Sequence, residues 1–182
     1  MTPRELEEYR ALRDTIRERG TARHWIGLAG IGLWAVLSTT VAVSGAPPVS
    51  TLLPLLVLVL TFELVFALHT AVERVGRYVQ VFHEDPQDSA RWEHVAMAYG
   101  RTFAGGGIID ALFSPIFWVA ALFNLLPMLT AGPAAIDWAI VTFVHLLFVL
   151  RVHRAKKAAA GQRAVDLQRF EQLRSDMTTP RA

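Results

Sequence analysis

The chain has 182 residues, 53% of them hydrophobic, yet 19% are Asp, Glu, Lys or Arg and the formal net charge is only +2. A chain this apolar with this many charges must segregate the two along its length instead of mixing them as a soluble domain does. The lack of cysteine excludes disulfides, iron–sulfur clusters, thiolate zinc sites and Cys nucleophiles. Sixteen acidic residues interleaved with eighteen basic ones, with no finger or recognition-helix signature, argue against nucleic acid as a partner.

All eighteen Lys and Arg lie outside two blocks, residues 24–73 and 102–150. Ahead of the first block, residues 1–23 read as a cytoplasmic amphipathic helix over 2–19: Thr2 and Glu5 form a capping box, Pro3 suits the first turn and Gly20 is a stop. Rich in both Glu and Arg, this arm is unlike a secretory signal. Leu6, Tyr9, Leu12 and Ile16 form one apolar stripe that must meet the membrane surface, other helices or a partner.

Residues 24–73 read as a transmembrane hairpin. A bilayer core of about 30 Å needs roughly 20 apolar residues, and the runs 25–43 and 51–70 supply them around a Pro/Gly turn at 44–50. In the first run Gly32, Ala35, Thr39 and Ala42 make a smooth face for close packing. The second run has no breaker before Asp85-Pro86, so a helix over 50–83 of about 51 Å should project into the cytoplasm.

Residues 74–107 form the cytoplasmic extension and linker. Asp85-Pro86-Gln87-Asp88 reads as a helix start, Trp92, Val95, Tyr99 and Phe103 follow at helical spacing, and Gly105-Gly106-Gly107 ends the helix. That triplet lacks the Gly-Lys-Ser/Thr of a P-loop, and no Gly-x-Ser-x-Gly elbow occurs.

A second hairpin occupies 108–150, with spans 108–129 and 134–150 around a turn at 130–133. Pro115 and Pro127 should kink the third span, and Ser114 and Asn124 can satisfy the carbonyls so freed. Residues 151–182 continue as a basic cytoplasmic helix and tail, with Leu167, Phe170 and Leu173 as its apolar edge and Gly161 as a weak point. Six basic residues in the N-terminal arm, four in the central segment and eight in the tail, against none in the two turns, put both termini and the centre in the cytoplasm.

The expected fold class is therefore all-α: an integral membrane protein of the cytoplasmic (inner) membrane with four transmembrane helices as two in-out-in hairpins, plus cytoplasmic amphipathic helices. Ionisable residues in such spans face a bundle interior, a partner or water. Glu63, His69 and Glu73 on the second helix, Asp110 on the third span and His145 on the fourth form the candidate set, His145 being expected in the inner half at the depth of His69. Asp137 lies near the outer surface, and His24, His83, His94 and His153 at the cytoplasmic edge. On a helical wheel His69, Thr70, Glu73, Gly76, Arg77 and Gln80 share one arc of the second helix, opposite Leu68, Ala71, Val72, Val75 and Val79.

Three readings of that set stand. As an interhelical polar cluster it belongs to a non-enzymatic structural or regulatory subunit, a homo-oligomer or membrane-complex component contacting a partner through Leu6, Tyr9, Leu12, Ile16 and Phe170. As an ion or proton path it belongs to a channel or transporter. As a ligand set it places haem or a divalent metal at His69 and His145. No residue pattern nominates a catalytic group or an enzyme's substrate.

Overall fold

The computed structural model describes residues 1–84, 91–102 and 112–178. Every regular element among them is helical: α1 (Pro3–Val43), a 3-10 turn (Pro48–Thr51), α2 (Leu52–Phe82), α3 (Trp92–Thr102), α4 (Ser114–Phe123), α5 (Leu126–Thr130) and α6 (Ala135–Thr178). Three helices are long and apolar enough to cross a membrane: α1, α2 with its preceding 3-10 turn, and α6. The expected helix start at residues 85–88, Phe103, the glycine triplet at 105–107 and Asp110 lie outside the described residues.

The capping box forms as expected. The Thr2 N–H donates to Glu5 Oε2 at 2.6 Å and the Glu5 N–H donates to Thr2 Oγ1 at 3.3 Å. The bond from the Thr2 backbone N–H is the main reason the Glu5 carboxyl titrates below its usual range.

Gly20 does not stop α1, which runs 41 residues without interruption. A glycine ends a helix by entering the left-handed region, and in this chain Gly45 (φ 65°) and Gly132 (φ 59°) do so, just beyond α1 and α5. Elsewhere a glycine costs only about 1 kcal/mol of helix propensity. Gly161 is carried inside α6, 44 residues long, in the same way.

The third span departs most from expectation. In place of one helix over 108–129, α4 has 10 residues and α5 has 5, with Asn124 and Leu125 between them. Pro127 has no N–H to offer the Phe123 carbonyl, so the α-helical ladder fails there. The Leu125 N–H turns to Leu122 O (3.1 Å) and the Met128 N–H to Leu125 O (3.0 Å). Pro115 sits in the first turn of α4, where a missing N–H is harmless.

The chain divides into two compact units. One comprises Met1–Thr21, Leu68–Ile109 and Ala158–Ala182; the other comprises Ala22–Ala67 and Asp110–Lys157. The second has a mainly apolar core and surface. Its core holds a mutually edge-to-face set, Phe62, Phe117 and Phe148, with centroids 5.2, 6.2 and 6.4 Å apart, and its surface exposes Leu33, Leu60, Phe143 and Leu146. Helices of this length carrying such a surface are those of a membrane protein.

The first unit has a polar interior. Arg77, Gln80, Glu84, Glu93 and Asp166 are buried there beside Val79 and Val81. The polar arc of α2 therefore turns inward in this unit, where the neighbouring helices supply partners.

Candidate functional site

Asn124 is the centre of the apolar unit's polar chemistry. It sits where α4 breaks, 1% exposed, and all four hydrogen-bonding positions of its amide are used. Trp34 Nε1 (3.1 Å) and Ser38 Oγ (3.0 Å), both on α1, donate to its Oδ1. Its Nδ2 donates to Thr51 O (2.8 Å), just ahead of α2, and to His145 Nε2 (3.0 Å) on α6.

That bond assigns the His145 tautomer. Its Nδ1 lies 2.8 Å from Val141 O, which can only accept, so Nδ1 carries the proton and Nε2 is left to receive Asn124. One asparagine thus ties together four segments of the chain.

Glu63, on α2, takes a separate partner: Arg151 Nη2 of α6 lies 2.7 Å from its Oε2, and the same guanidinium sits 5.0 Å from the centroid of Phe66. This pair is about two-fifths exposed. Glu63 lies twelve residues beyond Thr51, or roughly 18 Å along the helix. His145, by contrast, is held by Asn124 to the Thr51 carbonyl at the start of α2 and not at the level of Glu63.

In the first unit Glu93 of α3 is the corresponding centre. Arg13 Nη1 of α1 approaches its Oε1 at 2.7 Å and Arg77 Nη2 of α2 its Oε2 at 3.1 Å, while Arg77 Nη1 donates to Gln80 Oε1 at 2.9 Å. Gly76 admits this carboxylate, since a Cβ there would stand 3.0 Å from Glu93 Oε2. Glu84, its side chain fully buried, accepts the Glu93 N–H at 3.0 Å and the His94 N–H at 3.2 Å, capping the first turn of α3. Its Oε2 also lies 3.1 Å from His94 Nδ1.

The rest of this unit is sewn in the same manner. Arg163 faces both oxygens of Glu73, at 2.9 and 2.7 Å, Arg74 lies 3.7 Å from Asp166, and Arg174 Nη1 donates to Val81 O at 2.6 Å. Tyr78 donates to Glu8 at 3.0 Å; burial, and then the Glu8 carboxylate, push its phenol pKa upward.

Of the sequence-derived set, Glu63 and Glu73 are ion-paired, His145 is fixed by Asn124, His69 is buried in the first unit and Asp110 lies outside the described residues. The expected partner contacts are partly consumed inside the first unit. Phe170 packs edge-on against Tyr78 and Phe82 at 5.7 and 6.3 Å, Tyr9 meets His83 at 6.1 Å, Leu12 and Ile16 are half-buried, and Leu6 remains exposed. Among the described side chains of α3, the large apolar residues Trp92, Val95 and Tyr99 are exposed.

Sequence reasoning noticed Asn124 only as a helper beside a kink and did not single out Glu84 or Glu93. A polar amide in a long apolar run was the available signal for the first. Glu84 and Glu93 carried none, because a charged residue near a helix start ordinarily marks a solvated face.

Both ring nitrogens of His145 are engaged, so coordinating haem iron or a metal would require surrendering one of these bonds. Among the described residues no three His, Asp or Glu side chains gather as a metal site. No protein-family model, curated protein or solved structure matches the chain.

Proposed function

We propose that this chain is a non-enzymatic structural or regulatory subunit of the cytoplasmic membrane, spanning it four times with both termini inside. One observation carries the reading: Asn124 and His145, the polar groups at the heart of the apolar unit, are saturated by each other and by neighbouring helices. A buried polar network whose donors and acceptors are all satisfied rigidifies the core that holds it, which is the role of a fastener. Partner binding then falls to exposed surfaces. The smooth α1 face of Gly32, Ala35, Thr39 and Ala42 is exposed and suits close approach of a helix from a second copy or another subunit, and Leu6, Trp92 and Val95 supply apolar contact in the first unit.

A second reading, an ion or proton conductor, is favoured by the partial exposure of the Glu63–Arg151 pair. Proteoliposomes of the purified protein, tested separately with proton, potassium and chloride gradients, discriminate the two. The subunit reading expects no flux above empty vesicles for wild type or Glu63→Gln; flux that Glu63→Gln abolishes would replace it with a conductor.

A further inference from the structure

We propose that the groove between α1 and α4 in the apolar unit seats one acyl chain of an anionic phospholipid, with the headgroup phosphate held by Arg23 and His24. The groove has a volume of about 340 Å³, and its walls are Gly27, Leu28 and Ile31 from α1 and Phe113, Ile116 and Phe117 from the start of α4. His24 closes one end.

The spacing explains why a groove exists. Residues 24, 27, 28 and 31 stand at i, i+3, i+4 and i+7, which is one face of a helix, and they run about 10.5 Å along it. That covers roughly two-thirds of the hydrocarbon depth of one leaflet, if a leaflet is half of about 30 Å. Gly27 supplies no side chain, and Phe113 bounds the groove from a left-handed backbone (φ 52°), a conformation that a bulky residue adopts only where its surroundings demand it.

Charge complementarity selects the occupant. The apolar length of the groove excludes a soluble polar anion, and its side is open to the lipid-facing surface, where Leu28 and Ile116 are 65% and 50% exposed. At the His24 end, the His24 ring meets Phe113 edge-on at 5.4 Å, and the Arg23 guanidinium carbon lies 6.0 Å from the same ring centroid. A guanidinium carries five N–H donors, so contact with a ring and a protein partner leaves it able to hold a phosphate oxygen. These two residues mark the point where the basic arm ends and the block free of Lys and Arg begins. A cation beside an apolar groove at the membrane edge is the chemistry that recognises an anionic lipid headgroup.

The inference rests on the membrane placement of this unit and not on the subunit role, so each can fail without the other. Full-length protein in detergent, mixed with phosphatidylglycerol or phosphatidylcholine and weighed by native mass spectrometry, tests it. Wild type should retain one phosphatidylglycerol per chain, in preference to phosphatidylcholine by about fivefold, the effect of one cation near a headgroup. Arg23→Gln should remove the preference. Gly27→Leu and Ile31→Trp, which fill the groove, should each weaken retention by about tenfold, the equivalent of two buried methylenes. Leu60→Trp, adding the same bulk on exposed α2 surface away from the groove, should leave retention unchanged. Equal retention of the two lipids by wild type, or retention unaffected by every groove variant that folds, would overturn the proposal.

Discussion

Asn124 shows how much one residue decides in an apolar environment. Interhelical hydrogen bonds between membrane helices average about 0.6 kcal/mol each, while a buried polar group that loses its partner costs about 1–3 kcal/mol. Asn124→Leu removes four bonds and leaves Trp34 Nε1, the Thr51 carbonyl and His145 Nε2 to find new partners. Stability in a denaturant titration of detergent-solubilised protein should fall by about 2–3 kcal/mol; a loss below about 0.5 kcal/mol, the level of a neutral surface change, would show the network to be incidental. Two glycines on α1 provide a contrast. A Cβ at Gly30 would overlap the Thr61 side chain, whereas one at Gly32 would meet nothing within 4 Å. Gly30→Ala should cost about 1–3 kcal/mol by forcing α1 away from α2, and Gly32→Ala should stay within about 0.5 kcal/mol. The close approach of α1 is made at Gly30 in this unit, not by the small-residue face that begins at Gly32.

The helices differ in how much of their placement is local. The capping box of α1 is written in four consecutive residues and forms as read. The α3 helix depends on its neighbours: Glu84 from beyond α2 caps it, and Arg13 and Arg77 from two other helices hold its Glu93. Glu93→Gln keeps the shape and removes the charge, leaving the Arg77 guanidinium buried without its counter-ion, a defect costing about 3–5 kcal/mol. Hydrogen exchange should show α3 amides losing protection in that variant while the α1 amides between Gly27 and Thr39 keep theirs. Equal loss in both places would mean that the two units unfold as one. The α4–α5 pair is likewise a product of context, since its apolar composition reads as a span but Pro127 divides it.

For the whole molecule the number of membrane crossings turns on α4 and α5. The stretch Ser114–Leu129 is roughly 24 Å long as helix, short of the about 30 Å of hydrocarbon. Because the chain has no cysteine, single substitutions report topology cleanly. Ser44→Cys and Ala131→Cys should both react with a membrane-impermeant maleimide added outside intact cells, and Met177→Cys only after permeabilisation. Reaction of Ala131→Cys from the inside alone would make α4–α5 a re-entrant segment and leave three spans. The sequence by itself determined that this is an all-helical membrane protein, which stretches are apolar, where the capping box lies and where positive charge is absent, because each follows from residues within a few turns of one another. Only the tertiary structure decided what the polar residues do. Glu63 meets Arg151 across 88 residues and Glu73 meets Arg163 across 90, and Asn124 gathers donors from α1 and acceptors at the start of α2 and on α6. Such pairings depend on where helices cross and which faces they turn to each other, which hydrophobic periodicity along one helix does not encode.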